Sequence, residues 1–229
     1  MRYRALSMFL LLLFFSSLPI AYAGTDQATP ILKIDTEKKV VALTFDDGPD
    51  PKYTPILLET LNLEGVKATF FVLGIQAEKA PHILQWIHKA GHEIGNHGYS
   101  HPDIKKLKRP EIYQQIKRAE KVILGATGFR PKCYRPPGGV VTPAVLKATF
   151  DAGYDLIHWS VDPKDWKRDR TAEVIAGSIE NQVGAGDILL FHDGGVNQEE
   201  SMKALVSLIH DLKQDGYQFV TVSELLEIK

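Results

Sequence analysis

Apolar residues along this chain fall into two alternating patterns. Short continuous runs occupy 40–45 (VVALTF), 68–73 (ATFFVL), 92–96, 132–135, 154–161 (YDLIHWSV), 187–191 (DILLF) and 217–222 (YQFVTV). Their length and their Val, Phe, Ile and Tyr content predict strands. Between them, 53–63, 80–90, 110–125, 142–151, 172–182 and 199–214 carry apolar residues at helical spacing and predict helices. Pro55, Pro81, Pro110 and Pro143 stand at or near the helix starts, where a missing N–H is harmless. Gly65, Gly91, Gly128, Gly153 and Gly216 follow helical segments, the place for a C-cap residue with positive φ.

Strand–helix alternation repeated about seven times implies parallel strands covered by helices. A doubly wound open sheet and a (β/α) barrel both satisfy it. Both put ligand sites at the C-terminal ends of the strands. The residues found there therefore carry the functional information.

No repeat, low-complexity tract or second composition zone interrupts the pattern, so 39–229 reads as a single domain. The polar stretch 24–38, with Pro30, reads as a short linker. Ahead of it, Arg2 and Arg4 precede an apolar core at 8–15 (MFLLLLFF), broken by Ser16, Ser17 and Pro19 and followed by AYA at 21–23. This predicts a Sec-type signal peptide at 1–23, cleaved after Ala23. The alternative is a retained anchor, because 5–23 is nearly long enough to cross a bilayer. Cleavage would give a secreted, extracytoplasmic protein without a membrane span. The whole chain is 44% hydrophobic and 24% charged, which suits a globular protein with a core. Its net charge of −1 gives no basic footprint for nucleic acid. The single cysteine, Cys133, excludes an intrachain disulfide and a Cys-rich zinc site, and reads as a core residue. A monomer is the expected state.

The strand ends are chemically rich. The first ends in Asp46-Asp47, in ALTFDDGP. The third ends in NHGYSH, with His97 and His101; the fourth in RPPGG at 135–139. The fifth ends in VDPKDW, with Asp162, Asp165 and Trp166; the sixth in LLFHDGG, with His192 and Asp193. Two adjacent carboxylates at the end of a buried strand repel each other unless a cation compensates. His97 and His101 are four residues apart, which in one helical turn would put both rings on the same face. With a carboxylate from the first strand they would form a two-histidine, one-carboxylate site with positions open for water and substrate. Asp165 reads as a brace of its own turn, Asp193 as the start of a loop, and Asn96 as either an orienting group or a cap. His82, His88, His92, His158 and His210 read as structural.

These motifs resemble the polysaccharide deacetylases of carbohydrate esterase family 4, the NodB-homology group. TFDDGP at 44–49, H-x-x-x-H at 97–101, R-x-P-x-G at 135–139, D-x-x-D-W at 162–166 and L-x-H at 190–192 occur in the family's order. The resemblance implies an irregular (β/α)₇ barrel. It implies that Asp47, His97 and His101 bind one divalent metal ion, Zn²⁺ first and Co²⁺ second. It implies that Asp46 is the general base, paired with Arg135, and His192 the general acid, oriented by Asp162. The backbone N–H of Gly138 would stabilise an oxyanion, and Trp166 and Leu190 would line the substrate site. Two positions depart from the family: Gly98 replaces a common Thr, and Gly138 replaces a common aromatic.

The expected activity is removal of N-acetyl groups from cell-wall amino sugars, releasing acetate, with peptidoglycan as first substrate. Chitin oligosaccharide and acetylated xylan are the alternatives. A non-catalytic glycan-binding relative has no use for Asp46 and His192 together. An iron oxygenase using the same triad is disfavoured by the acid–base pair.

Overall fold

Seven consecutive buried residues, Val40–Asp46, form the first strand, β1. The structure is a computed structural model that describes residues 27–228. The signal peptide expected at 1–23 lies outside the described residues. After β1 come α1 (Tyr53–Leu63), β2 (Thr69–Val72), α2 (Gly74–Lys79), α3 (Pro81–Lys89) and β3 (Glu93–Asn96). Then follow α4 (Arg109–Thr127), β4 (Cys133–Tyr134), α5 (Pro143–Ala152), β5 (Asp155–Leu156) and α6 (Ala172–Glu180). The chain finishes with β6 (Ile188–His192), α7 (Gln198–Gln214), β7 (Gln218–Val220) and α8 (Val222–Leu226).

The sheet runs β5-β4-β3-β2-β1-β6, with β7 also paired to β1, and every pair is parallel. The register sets Asp46 beside Phe71 of β2 and His192 of β6. Two bridges close the curl: Val161 pairs with Leu189, and Ile31 with Ile157. The result is the irregular (β/α)₇ barrel, not an open doubly wound sheet. Helices α1, α3, α6 and α7 bury Leu57, Leu61, Leu84, Ile87, Ile179 and Leu208 against the barrel strands.

Local chemistry explains the boundaries. Proline occupies an early position in α3, α4 and α5. Gly128 and Gly153 cap α4 and α5 in the left-handed conformation, at φ 79° and 71°, which glycine adopts without a Cβ clash. Helices α2 and α8 were not expected. They span six and five residues, too few turns for a period to show.

Two expectations need revision. The strand expected over 154–161 is cut to Asp155–Leu156, because the chain then leaves β4 and crosses to β6. Ser160 and Val161 both donate from their N–H to Ile188 O, at 3.1 and 3.3 Å. The polar stretch read as a linker docks on the barrel from Ala28 onward. Ala28 and Ile31 donate to Leu146 O and Leu156 O, and Ile34 donates to Gly186 O. It lies as a strap over the seam between β5 and β6. Among the described residues, no helix is long and apolar enough to cross a membrane.

Candidate active site

Asp46 ends β1 with 3% of its surface exposed. Asp47 follows in the left-handed conformation, φ 74°, which turns the chain out of the strand. Aspartate tolerates this conformation better than most residues. The two neighbouring carboxylates thereby acquire different partners.

Asp46 Oδ1 accepts from Arg135 NH1 at 2.7 Å. The guanidinium is fully buried over the Phe71 ring, and it also donates to Thr44 Oγ1 and to the His158 carbonyl. Burial raises the Asp46 pKa, but Arg135, then His97 and His192, outweigh burial and hold it below the usual value. Asp46 is therefore ionised at neutral pH.

Asp47 Oδ1 lies 3.5 Å from His97 Nε2 and 3.6 Å from His101 Nε2. One ligand atom from each of the three residues falls within 4.8 Å of the others. The histidines do not share a helical turn, as their spacing suggested. They sit in the loop after β3, bent by positive φ at Gly98 (79°) and His101 (52°). His97 Nδ1 is 2.8 Å from the Arg135 carbonyl, which can only accept. Nδ1 therefore carries the hydrogen and Nε2 turns its lone pair toward Asp47. Burial lowers the His97 pKa, which favours the neutral, ligating form. Asp47 Oδ1 is buried with no hydrogen-bond partner among the described residues. An orphaned carboxylate oxygen facing two imidazoles fits a small divalent cation.

His192 Nδ1 donates to Asp165 Oδ1 at 2.8 Å, and Asp165 Oδ2 accepts from the His192 N–H at 2.9 Å. Asp165, not Asp162, is thus the carboxylate that orients His192. Asp165 is fully buried and takes a further bond from Ser201 Oγ. Asp162 Oδ1 instead accepts from the Lys164 N–H at 2.7 Å, so it braces the turn, while lining the cleft. The two aspartates have exchanged the roles expected of them, because the turn at Lys164 (φ 58°) carries the second one inward. Burial lowers the His192 pKa, but the Asp165 bond and charge, with Asp46 and Asp47 behind them, push it up to about 9.

Asp193 is also buried, where a loop start was expected. It accepts from Thr54 Oγ1 at 2.6 Å. It packs so closely on Gly48 that a Cβ there would meet its carboxylate at 2.2 Å. Burial, with Asp47 and Asp46 nearby, raises its pKa to about 7.

Asp46, Asp47, His97, His101, Asp162 and His192 line one cleft of about 470 Å³, with Arg135, Asp165 and Asp193 buried outside its lining. Its remaining walls include Gly138, Trp159, Trp166 and Leu190. Gly138 has φ 64°, and a Cβ on it would meet only Val140 Cγ2, at 4.0 Å, so space stands open above it. His158 bonds through Nε2 to the Gly139 carbonyl and stacks on Trp159 at 4.0 Å, bracing the turn that carries Gly138. Trp159, Thr54 and Asn197 were not anticipated. Trp159 sat inside an expected strand, and Thr54 and Asn197 belong to no motif. Positive φ at Asn197 (66°) has no signature in sequence beyond the residue type. Cys133 is buried, as expected, and burial pushes its thiol pKa up.

An aspartate–histidine acid–base pair sharing one cleft with a His/His/Asp cluster, at the C-terminal face of a parallel barrel, has the layout of a hydrolytic metal site. Residues 33–157 match the family model described as polysaccharide deacetylase. The chain belongs to that family of hydrolases, carbohydrate esterase family 4. It is 37% identical over 199 residues to a peptidoglycan-N-acetylglucosamine deacetylase of Bacillus cereus, covering 86% of this chain and 92% of the relative. A crystal structure of the Bc1960 peptidoglycan N-acetylglucosamine deacetylase superposes with TM-score 0.82 at 38% identity, over 86% of this chain and 92% of the other. A family 4 acetyl xylan esterase from Clostridium thermocellum, solved with a cobalt ion, superposes with TM-score 0.76 at 35% identity, over 82% and 90%.

Proposed function

We propose that this protein is a secreted, metal-dependent N-deacetylase that removes acetyl groups from amino sugars of the cell wall, peptidoglycan first among them. The observation that carries the reading is the separation of two charge pairs around one cluster. Asp46 is paired with Arg135 and His192 with Asp165, two distinct charge pairs beside the cluster of Asp47, His97 and His101.

Asp47, His97 and His101 would hold the cation, Zn²⁺ or else Co²⁺. When bound, it supplies Lewis acidity, making water a nucleophile near neutral pH and polarising the acetyl carbonyl. Asp46, kept ionised by Arg135, takes the proton of the attacking water. The Gly138 N–H faces the oxygen on which negative charge develops; losing such a donor typically costs about 10²–10³ in rate. His192, protonated up to about pH 9, gives its proton to the departing amine. Asp165 holds its ring and charge in place. Trp166, 46% exposed, offers its face to the sugar, and Leu190 walls the cleft beside it.

The test is acetate release from peptidoglycan and from chitin oligosaccharides by residues 24 to 229, chelated and then resupplied with Zn²⁺. Zinc-dependent release from peptidoglycan is expected, and its loss in Asp46→Asn. Release from chitin alone would keep the chemistry and replace the substrate. Full activity in Asp46→Asn would sink the mechanism.

A further inference from the structure

Two loops rise at the mouth of the cleft. One begins at the cleft residue His101 and runs to α4; the other runs from Asp162 past Trp166 to α6. The first exposes Lys105 and Lys108, and the second exposes Lys164, Lys167 and Arg168. None of these five has an ion-pair partner within 4.0 Å among the described residues. Elsewhere among the described residues some lysines and arginines are matched, as Lys147 and Arg109 are with Asp151 and Lys203 with Glu200, and others, such as Lys79 and Lys121, are not; what sets the two loops apart is that their cations lie close together in sequence beside cleft residues. Of the four acids on the same loops, Asp162 lines the cleft and accepts only the Lys164 backbone N–H, and two others are engaged with side chains. Asp103 pairs with Lys106 at 3.0 Å, and buried Asp165 is held by His192. Asp169 is exposed. The two loops, 102–108 and 162–171, together carry seven cations and four acids, a net charge of +3 in a chain of net charge −1.

These cations are presented on a fixed frame. Asn197 Nδ2 donates to the carbonyls of Asp165, Lys167 and Arg170, at 3.1, 3.0 and 3.0 Å. Lys167 N and Arg170 N add turns onto Lys164 O and Lys167 O. On the other loop, buried Ile104 anchors the single turn that displays Lys105. Lys167 Nζ stands over the ring of the cleft residue Trp166, 5.4 Å from its centre.

From this we infer that the cleft is built for an anionic glycan, with the rim cations receiving the carboxylates carried by peptide stems on the strand. This rests on the deacetylase reading above and sharpens its substrate class. A neutral chito-oligosaccharide would satisfy the two aromatic walls and leave the rim cations without partners. Opposite charge at a cleft mouth raises local substrate concentration and capture rate, by about 10–10³ in favourable cases.

The experiment compares glycan strands bearing peptide stems, freed of phosphate polymers, with the same strands after the stems are cleaved off and the lactyl carboxylates so exposed are converted to neutral amides. Acetate release by the zinc-loaded protein is followed at ionic strengths from about 0.01 M to about 1 M, where the screening length falls from about 30 Å to about 3 Å. Stem-bearing strands should show a kcat/KM about tenfold higher at low salt, an advantage that vanishes at high salt. The triple variant Lys164→Gln, Lys167→Gln, Arg168→Gln should lose most of that advantage through KM, with its melting temperature recorded alongside. Equal, salt-insensitive turnover of both strands would overturn the inference and leave the deacetylase standing. So would an advantage that returns only when phosphate polymers are left attached. No acetate from either strand would bring down the deacetylase reading, and the inference with it.

Discussion

His192 Nδ1 sits 2.8 Å from Asp165 Oδ1, and the same carboxylate takes the His192 backbone N–H. His192 is thus held at two points, ring and backbone, by one buried carboxylate. Its pKa stands at about 9, raised by Asp165 against the effect of burial. Activity that needs the imidazolium should therefore hold to about pH 9 and fall above it. In Asp165→Asn the fall should move toward the ordinary histidine value, about 6.5, with kcat lower by about 10²–10⁴. Asp162→Asn should leave the alkaline limb in place. A pH–rate profile of the three proteins decides it; an unmoved limb in Asp165→Asn would contradict the pairing.

Arg135 donates to Asp46 at 2.7 Å, and both are buried. Arg135→Met leaves a carboxylate without its partner in the barrel wall. Such a change typically costs about 3–5 kcal/mol of stability. The Asp46 pKa should rise as the strongest charge opposing burial is lost, so the acid limb of the rate profile should shift to higher pH. Urea unfolding and the profile measure the two effects separately.

The Asp47 oxygen left without a partner defines the metal test. Zn²⁺ at about 100 times its dissociation constant should stabilise the chelated protein by about 2.7 kcal/mol. Asp47→Asn retains a residue type that tolerates φ 74° and removes the charge. It should abolish most of that shift, read as melting temperature or by calorimetric titration, with no reference to catalysis.

His92 gives a pH dependence remote from the cleft. It is 5% exposed, and its Nδ1 accepts from the Ala68 N–H at 3.2 Å. Burial, aided by Lys67, lowers its pKa to about 4. The unfolded chain, at about 6.5, binds the proton first as pH falls. The stability His92 contributes is complete above 6.5 and is lost on descending toward 4, at about 1.4 kcal/mol per unit at most. His92→Asn, whose amide oxygen can accept the same N–H, should flatten that part of the stability curve.

Much of this was legible in the chain. The apolar runs and helical periods located the long elements, because burial imposes those patterns wherever an element spans several turns or crosses the core. Short elements escaped: α2 and α8 are too brief for periodicity. The strap at 27–34 escaped because its bonds are made by backbone, which composition does not report. The site motifs were visible as residue types at strand ends. What the spacing could not supply was backbone direction. His97 and His101 meet through two left-handed residues and not through a helical turn. Asp162 and Asp165 are three apart in one motif, and only the turn at Lys164 decides which reaches His192. Asn197 clamps that same turn from a distance of some thirty residues, with nothing in sequence to announce it.

The strap has a consequence for the order in which the barrel comes together. Ile31 must find Ile157, and Lys33 must find Asp187, while β1 waits for β6 and β7 made near the end of the chain. The segment synthesised among the first therefore seals the wall among the last. Contacts that distant in sequence form slowly. A chain whose first strand stays unpaired on one side until its final third emerges remains open while most of it is being made.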